Sequence, residues 1–375
     1  MTRPEIADAD WDAFVDAANP TSYLQRSAWA ASKEPNGWRA VRWIGGDSVG
    51  AQILVRRAGP TPWAVAYAPR APLATAWDGQ TIAAFSAAAR ELLARQPERI
   101  AYLRVDPGLD AAAVTRAGTG GDASLADRFR ASGWLPAPAV QPNASRIVDL
   151  GVEEADLWGG LRKKWRQYVN RARTAGIRVV EGDGDRLADF YAIYRETARR
   201  AGFIIRSERA YRDVWAAFDR DRLARLLLAE LPDGTPVATL LLLRSGSTVT
   251  EPYGGATVSG AEQRANYLLK WEAMHRSRED GAATYDMWGL SSPGIAHFKA
   301  GFGGREVRYV GAWDLVLDPL GRTVLDAAGR ARTWASRLQH GLDPRRGVSP
   351  DGTRTPGDAN PGSSDPRADD EDERS

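Results

Sequence analysis

YDMWGLSSPGIAHFKAGFGGREVRYVG, residues 285–311, is the stretch on which the reading of this chain turns. It opens as a short apolar strand through Tyr285 and Met287 and breaks at Gly289. Ser291, Ser292, Pro293 and Gly294 lead into a brief segment carrying Phe298 and Lys299. Gly301, Gly303 and Gly304 then precede a second strand from Val307. Lys299 is the only lysine after Lys270, in a chain that favours arginine. Set between aromatics and glycines, its ammonium can be partly desolvated while the chain's own backbone can approach a ligand closely. A surface lysine on a glycine-rich hairpin fits the same local composition equally well.

The chain's 375 residues are long for one domain and sufficient for two, each able to bury a core. Hydrophobic residues make up 43% and charged residues 26%, the balance of an ordinary globular protein. The absence of cysteine removes disulfides, thiolate metal sites and a cysteine nucleophile. His275, His297 and His340 lie far apart without ligand spacing, so neither a metal centre nor a Ser-His-Asp triad is expected. The opening MTRPEIADADWDAF lacks the apolar core of a signal peptide. No stretch approaches the roughly 18 consecutive apolar residues of a membrane span. A cytoplasmic protein is expected, with basic residues compatible with a peripheral contact at the inner face of the plasma membrane. The formal charge of +2 is uneven: residues 351–375 hold eight acids against three arginines, a net of −5, so the first 350 residues carry +7. A basic body favours anionic partners such as RNA, nucleotides or lipid headgroups.

In chain order, residues 11–18 read as a short helix behind the N-cap Asp10, and a second short helix carries Trp29 and Lys33. Residues 38–44 and 49–56 read as a hairpin around Gly45-Gly46-Asp47, and 63–68 as a third strand. An alanine-rich helix over 81–95 leads to a buried strand at 100–105 that ends in Asp106-Pro107. A flexible loop at 108–124, a helix at 125–132 and a strand at 144–150 complete the first half. The second half repeats this order: helices at 187–201 and 208–218, strands at 223–231, 237–243 and 248–253, a helix at 265–280, and strands at 283–288 and 308–317. Two short helices, a meander, a longer helix and another strand thus occur twice, which reads as a structural duplication of a mixed α/β layer. The domain limits read as 1–150 and 183–340, with 151–182 between them. A last helix is expected at 330–339, followed by a disordered acidic tail over 341–375.

Between the halves lies the most basic segment, LWGGLRKKWRQYVNRARTAGIRVVEG, residues 157–182. Leu161, Trp165, Tyr168, Val169 and Ala172 recur at helical spacing, and Arg162, Lys163, Lys164, Arg166, Arg171 and Arg173 decorate the other sides. Gly176 is placed to end the helix. Such a helix can bind RNA phosphates, lie on an anionic membrane, or present a solvated face. Tryptophan and tyrosine interleaved with arginine favour nucleic acid. A meander followed by a helix is also what an acetyl-CoA-dependent N-acetyltransferase shows, gripping pyrophosphate with a glycine-rich turn at the helix N-terminus. Here that turn, residues 257–266, holds only Gly260, and Glu262 adds a negative charge.

Eight segments together carry a resemblance: LQRSAWAASK (24–33), YAPRAP (67–72), LRVDP (103–107), LRKKWRQYVNRARTAGIRV (161–179), FIIRS (203–207), PYGGA (252–256), ANYLLKWEAMHRSREDGAATYDMWGL (265–290) and GIAHFKAGFGG (294–304). In this order and spacing the chain resembles the FemABX family, the bridge-forming aminoacyltransferases of peptidoglycan synthesis. The resemblance implies an α/β (α+β) fold of two tandem GNAT-like, that is acetyltransferase-like, domains with mixed sheets flanked by helices. It also implies the reaction: an amino acid moves from aminoacyl-tRNA to a stem-peptide amine of a muropeptide precursor, UDP-linked or lipid-linked. No metal or CoA is implied, because the ester on the tRNA is already activated.

By the same resemblance, Lys299 matches the lysine of the family's Phe-Lys-x-x-Phe segment, implicated at the aminoacyl end and in stabilising the tetrahedral oxyanion. Lys33 and Arg206 match phosphate-binding positions, and Tyr253 a residue lining the precursor site. Phe298 and Arg70, within matching segments, are implied to bind substrate. Asp106, at the matching Asp-Pro, is a candidate proton acceptor for the amine. Some family members insert a helical coiled coil in the second domain. This chain runs from Arg173 straight into a strand and shows no heptad run, so Arg162, Lys163, Lys164 and Arg166 are the candidate tRNA contacts. Two other readings stay open: a CoA-dependent N-acyltransferase on the same fold, and a binding protein for RNA or an envelope precursor without turnover.

Overall fold

The computed structural model describes residues 6–45, 49–74, 77–112 and 124–339, apart from the side chains of 330–339. The expected turn at 46–47, most of the loop expected at 108–124, and the tail after 340 lie outside them. The helices are α1 (Asp8–Ala17), α2 (Ser27–Ala31), α3 (Gly79–Ala94), α4 (Leu125–Ala131), α5 (Glu154–Gly159), α6 (Lys163–Thr174), α7 (Leu187–Ala201), α8 (Glu208–Asp219), α9 (Val258–Glu262), α10 (Ala265–Glu279), α11 (Pro293–Ala300) and α12 (Pro319–Gln339). Strands β1 (Arg39–Gly45), β2 (Val49–Arg57), β3 (Trp63–Arg70), β4 (Leu73–Ala74), β5 (Arg99–Pro107), β6 (Trp134–Ala137) and β14 (Ala312–Val316) build one sheet. Strands β7 (Ala144–Asp149), β8 (Arg178–Gly182), β9 (Ala224–Glu230), β10 (Pro236–Ser245), β11 (Thr248–Ala256), β12 (Thr284–Asp286) and β13 (Arg305–Arg308) build the other.

The duplication is real at the level of topology. In the first sheet the antiparallel β1–β2–β3 meander passes through α3 into β5, which runs parallel to β3. In the second the β9–β10–β11 meander passes through α10 into β12, parallel to β11. Local chemistry sets the element ends: Asp78 caps α3 by accepting from Thr81 N at 2.7 Å, and left-handed Gly176 (φ 79°) closes off α6. β10 is apolar from Val237 to Leu243, with the one exception of Thr239, and such a strand needs cover on both faces. Leu240 and Leu242 join the core under α10, while Leu241 joins Phe190 of α7 on the other face.

The two sheets exchange strands. The sequence reading leaves 144–150 with the first half and 308–317 with the second. In the structure β7 pairs with β12 and β13 in the second sheet, and β14 inserts between β5 and β6 of the first. Alternating polarity tells which face of a strand is buried but not which non-local edge it joins, so this crossing is silent in the sequence. One buried ionic group pins it. Asp314 on β14 is fully buried and accepts from Arg104 of β5 at 2.7 and 2.8 Å and from Arg322 of α12 at 2.6 Å. The segment read as lying between domains is likewise part of the second one. β8 is its edge strand on β9, and Leu161, Trp165, Val169 and Ala172 enter its core.

The halves meet through a shared apolar cluster: Tyr23, Leu24 and Trp29 from the first pack on Val214, Phe218 and Leu243 from the second, with Trp288 at its edge. Thr21 and Ser245 share a hydroxyl hydrogen bond of 2.8 Å across this contact.

Candidate active site

Trp288 stands at the edge of the contact between the halves. It follows β12 with a left-handed backbone (φ 52°), and its ring lies 5.6 Å from Tyr23 and 5.0 Å from the Arg70 guanidinium. Two side chains hold this strained turn. Asp286 accepts from Trp288 N at 2.8 Å and from the Ser145 hydroxyl. Lys299, from α11, donates to the carbonyls of Met287 at 2.7 Å, of Trp288, and of Gly289 at 2.7 Å. All three ammonium protons are therefore engaged. Burial, then the like charge of Lys270, lowers the Lys299 pKa to about 8, with Glu251 and Asp286 opposing. Lys270 itself is buried under Phe298 and Phe302 and pairs with Glu251, which also accepts from the Tyr285 hydroxyl at 2.7 Å.

The expected glycine-rich hairpin is thus a helix. Ser292 caps it, its Oγ accepting from Ile295 N at 3.3 Å, and Pro293 occupies the first turn. Ser-Pro opening a segment is a helix-start signature that the sequence reading passed over. The glycines after it serve the protein rather than a ligand. A Cβ on Gly301 would lie 2.3 Å from the Trp165 ring, and one on Gly304 (φ 70°) would lie 2.4 Å from the Ile147 carbonyl.

Arg70 is buried in a left-handed conformation (φ 54°), its guanidinium 3.9 Å over the Tyr309 ring and donating to Pro142 O at 2.9 Å. Asp106 fixes that backbone. Its carboxylate accepts from Arg70 N at 2.8 Å, the Tyr67 hydroxyl at 2.8 Å and Gln141 N at 3.2 Å. Burial pushes the Asp106 pKa up, with Arg70 opposing. Three protein donors already bond it, so its geometry is that of an anchor for Arg70.

Lys33 comes from the first half and Arg206 from the second, near enough for the charge of Arg206 to act on Lys33. Lys33 is buried with its Nζ 3.6 Å from the Trp29 ring centroid. Burial, then the charge of Arg206, lowers its pKa to about 7, with Asp213 opposing. Arg206 is exposed on the loop after α7, where its N–H donates to the Tyr211 hydroxyl at 3.2 Å. Tyr253 packs edge-on against Tyr211 at 5.1 Å, and burial pushes its pKa up to about 12. The charge of Arg206, which adds to the lowering of the Lys33 pKa, is what a bound anion would offset.

Phe298 is half-buried. Its ring packs on Tyr267 at 5.0 Å and Phe302 at 5.3 Å, and supports α11 from the core side. The basic helix α6 abuts α11 directly: Arg162 Nη1 lies 3.1 Å from His297 Nε2, and Trp165 Nε1 donates to Phe298 O at 3.0 Å. Arg162 and Lys163 are exposed there and Lys164 is half-buried, whereas Arg166 bonds the carbonyls of Gly159 at 2.9 Å and Leu161 at 2.6 Å. The turn compared with a CoA grip is closed by its own residues. Thr257 Oγ1 accepts from Gly260 N at 3.0 Å, and Glu196, rather than Glu262, accepts from Val258 N at 2.9 Å. Two surface cavities of about 560 and 520 Å³ open elsewhere, one by Arg57, Tyr102 and Leu325, the other by Glu181, Arg222 and Asp280. None of the sequence-predicted site residues lines either. Among the described residues no group of three or more His, Asp or Glu could hold a metal ion, and no helix is long and apolar enough to cross a membrane.

Asp286, Ser145, Tyr309 and Trp288 are the residues around Arg70 and the 287–289 turn that sequence reading missed. Asp286 sits inside the quoted stretch but reads as a strand residue, and Ser145 and Tyr309 reach this site only through the strand exchange.

The sequence model of the FemAB family matches residues 6–235 and 232–329. The chain is 22% identical to the lipid II:glycine glycyltransferase of Staphylococcus aureus strain USA300, over 85% of this chain and 93% of that protein. The crystal structure of FemX superposes with a TM-score of 0.75 at 21% identity, covering 87% of this chain and all of that one. A conserved protein of unknown function from Bacteroides thetaiotaomicron superposes with a TM-score of 0.52 at 15% identity, over 83% of this chain and 97% of its own.

Proposed function

The chain belongs to the FemAB family, and on that premise we propose that it is an aminoacyltransferase acting where its halves meet. It moves an amino acid from aminoacyl-tRNA to the stem-peptide amine of a lipid-linked muropeptide precursor. The observation that carries this reading is a cation from each half near their shared contact: Lys33 over Trp29, and Arg206, whose N–H bonds the Tyr211 hydroxyl beside Tyr253, with Trp288 and Arg70 at the edge of the same contact. The two cations take the precursor's phosphates, and the aromatic side chains take the sugar and stem peptide attached to them. The curated relative's acceptor is a lipid-linked precursor by name, and this supports the lipid-linked acceptor here.

The amine attacks the ester carbonyl, forming a C–N bond and a tetrahedral oxyanion. Collapse breaks the ester C–O bond, and the departing tRNA hydroxylate takes the proton that the attacking nitrogen sheds. The charge of Lys299 favours the oxyanion, while its hydrogen bonds hold the 287–289 turn on which the acceptor rests. Asp106 is assigned to anchoring Arg70 rather than to taking the amine's proton, because the protein's own donors already bond its carboxylate. Holding two large substrates together supplies much of the remaining rate. The tRNA end reaches the site along the exposed Arg162 and Lys163 at the start of α6, where Arg162 contacts His297 of the Lys299 helix. A CoA-dependent reaction is disfavoured because the turn at 257–263 spends its N–H groups on Thr257 and Glu196. The test incubates purified protein with charged tRNA pools and both UDP-linked and lipid-linked precursors. A precursor mass raised by one aminoacyl residue is expected, and unchanged masses for every tRNA and precursor would refute the reading.

A further inference from the structure

Residues 195–212 hold six arginines against two glutamates, a net charge of +4, and at their centre lies Phe203-Ile204-Ile205. α7 ends at Ala201, and left-handed Gly202 (φ 71°) turns the chain outward. Phe203 N donates to Ala198 O at 3.1 Å, which fixes the start of the loop. Phe203 is 40% exposed and Ile204 60%. Val258, 53% exposed, stands against the same end of α7: its N–H donates to Glu196, and Arg200 donates to the adjacent Ala256 O at 2.8 Å. Three apolar side chains thus crown one end of the second half, with exposed Arg199 and Arg209 around them.

A single exposed leucine or isoleucine is ordinary on a protein surface. An apolar loop tip ringed by arginines is different, because each half of the feature needs its own environment. The tip is driven out of water, and the surrounding cations are driven toward phosphates. A bilayer with anionic lipid offers both within a few ångströms of depth. A protein partner would instead have to present an apolar recess rimmed by acids. Two residues beyond the tip lies Arg206, exposed, with its N–H on the Tyr211 hydroxyl beside Tyr253.

We infer that the rim formed by Phe203, Ile204 and Val258, with Arg199 and Arg209, is the surface by which this protein docks on an anionic lipid bilayer. Docking there sets the Lys33–Arg206 pair at headgroup depth, where the phosphates of a lipid-linked acceptor lie; this second step rests on the reaction proposed above. The docking itself does not, because it is read without tRNA or acceptor.

The full chain has no cysteine, so Ile204→Cys labelled with an environment-sensitive nitrobenzoxadiazole reports one position. Its emission should shift to the blue on adding vesicles of phosphatidylcholine with phosphatidylglycerol, and not with phosphatidylcholine alone. Binding should weaken as salt rises. In sedimentation with the same vesicles, the unlabelled variant Phe203→Ser/Ile204→Ser should bind at least about tenfold more weakly than the wild-type chain. It should keep the wild-type melting temperature and wild-type transfer to the lipid-linked acceptor dispersed in detergent, and lose that transfer when the acceptor is in vesicles. Vesicle binding equal to that of the wild-type chain, or a label whose emission ignores anionic vesicles, would overturn the inference. So would a protein that ignores vesicles but whose loop is protected by a purified protein partner.

Discussion

Replacing Lys299 by methionine removes the ammonium and leaves the stem's packing nearly intact. Three hydrogen bonds from a charged donor are lost, those to the carbonyls of Met287, Trp288 and Gly289. Each such bond contributes about 1.5–3 kcal/mol where the freed partner stays buried. Lys299 is half-buried, so water can reach part of the turn and the combined loss is discounted to about 2–4 kcal/mol. The left-handed Trp288 then loses one of its two restraints, Asp286 being the other. Its ring shifts from Arg70 and Tyr23, so precursor affinity falls along with stability. Transfer falls further, by about 10²-fold or more, because the charge near the oxyanion is gone as well. Urea unfolding, precursor titration by calorimetry and single-turnover transfer read the three quantities separately. Unchanged unfolding and unchanged precursor affinity, with only transfer lost, would show that the lysine serves the ester alone and that the carbonyl clamp has no weight.

Precursor affinity should fall as pH rises above about 7, since Lys33 has its pKa lowered to about 7 in the free protein and a bound anion favours its charged form. Arg206→Gln removes the like charge that lowers this pKa, so the remaining affinity should keep its strength to higher pH; calorimetric titrations from pH 6 to 9 that show no such movement would contradict the pairing. Asp314→Ala leaves Arg104 and Arg322 without their buried partner and should cost about 3–5 kcal/mol in urea unfolding, while Asp127→Ala, on exposed α4, should cost far less. Arg162→Glu with Lys163→Glu should weaken tRNA binding and flatten its dependence on salt, as gel-shift or filter-binding titrations at several salt concentrations would read; an unaltered salt slope would remove α6 from the tRNA path.

Much of this fold is legible from local chemistry. The meanders, the crossover helices and their repetition follow from apolar periodicity and from Gly, Pro and Asp punctuation, and the helices at 187–201 and 265–280 were readable to within a residue. The strand exchange was not, because it is a choice between distant sheet edges that no local pattern encodes. The same limit governs the site. Lys299, Lys33, Arg206 and Arg70 could be picked out as cations in matching segments, and the structure brings Lys33 to Arg206 and Lys299 and Arg70 to Trp288. The role of each cation there depends on partners that sequence does not announce. Lys299 spends its protons on three backbone carbonyls, Asp106 spends its oxygens on Arg70, Tyr67 and Gln141, and the glycines at 301 and 304 make room for Trp165 and Ile147.

The central claim is that one anionic acceptor is gripped at once by a cation from each half, and a double-mutant cycle on precursor binding tests it most directly. Lys33→Ala, Arg206→Ala and the double variant are titrated with the precursor at pH 6.5, where Lys33 is charged. Each single change should weaken binding by at least about tenfold, with the pair non-additive by about 0.5–3 kcal/mol because both cations meet the same phosphates. Losses that add within about 0.3–0.5 kcal/mol would mean that the two cations act on separate ligands, and affinity unchanged in both single variants would place the acceptor outside this site.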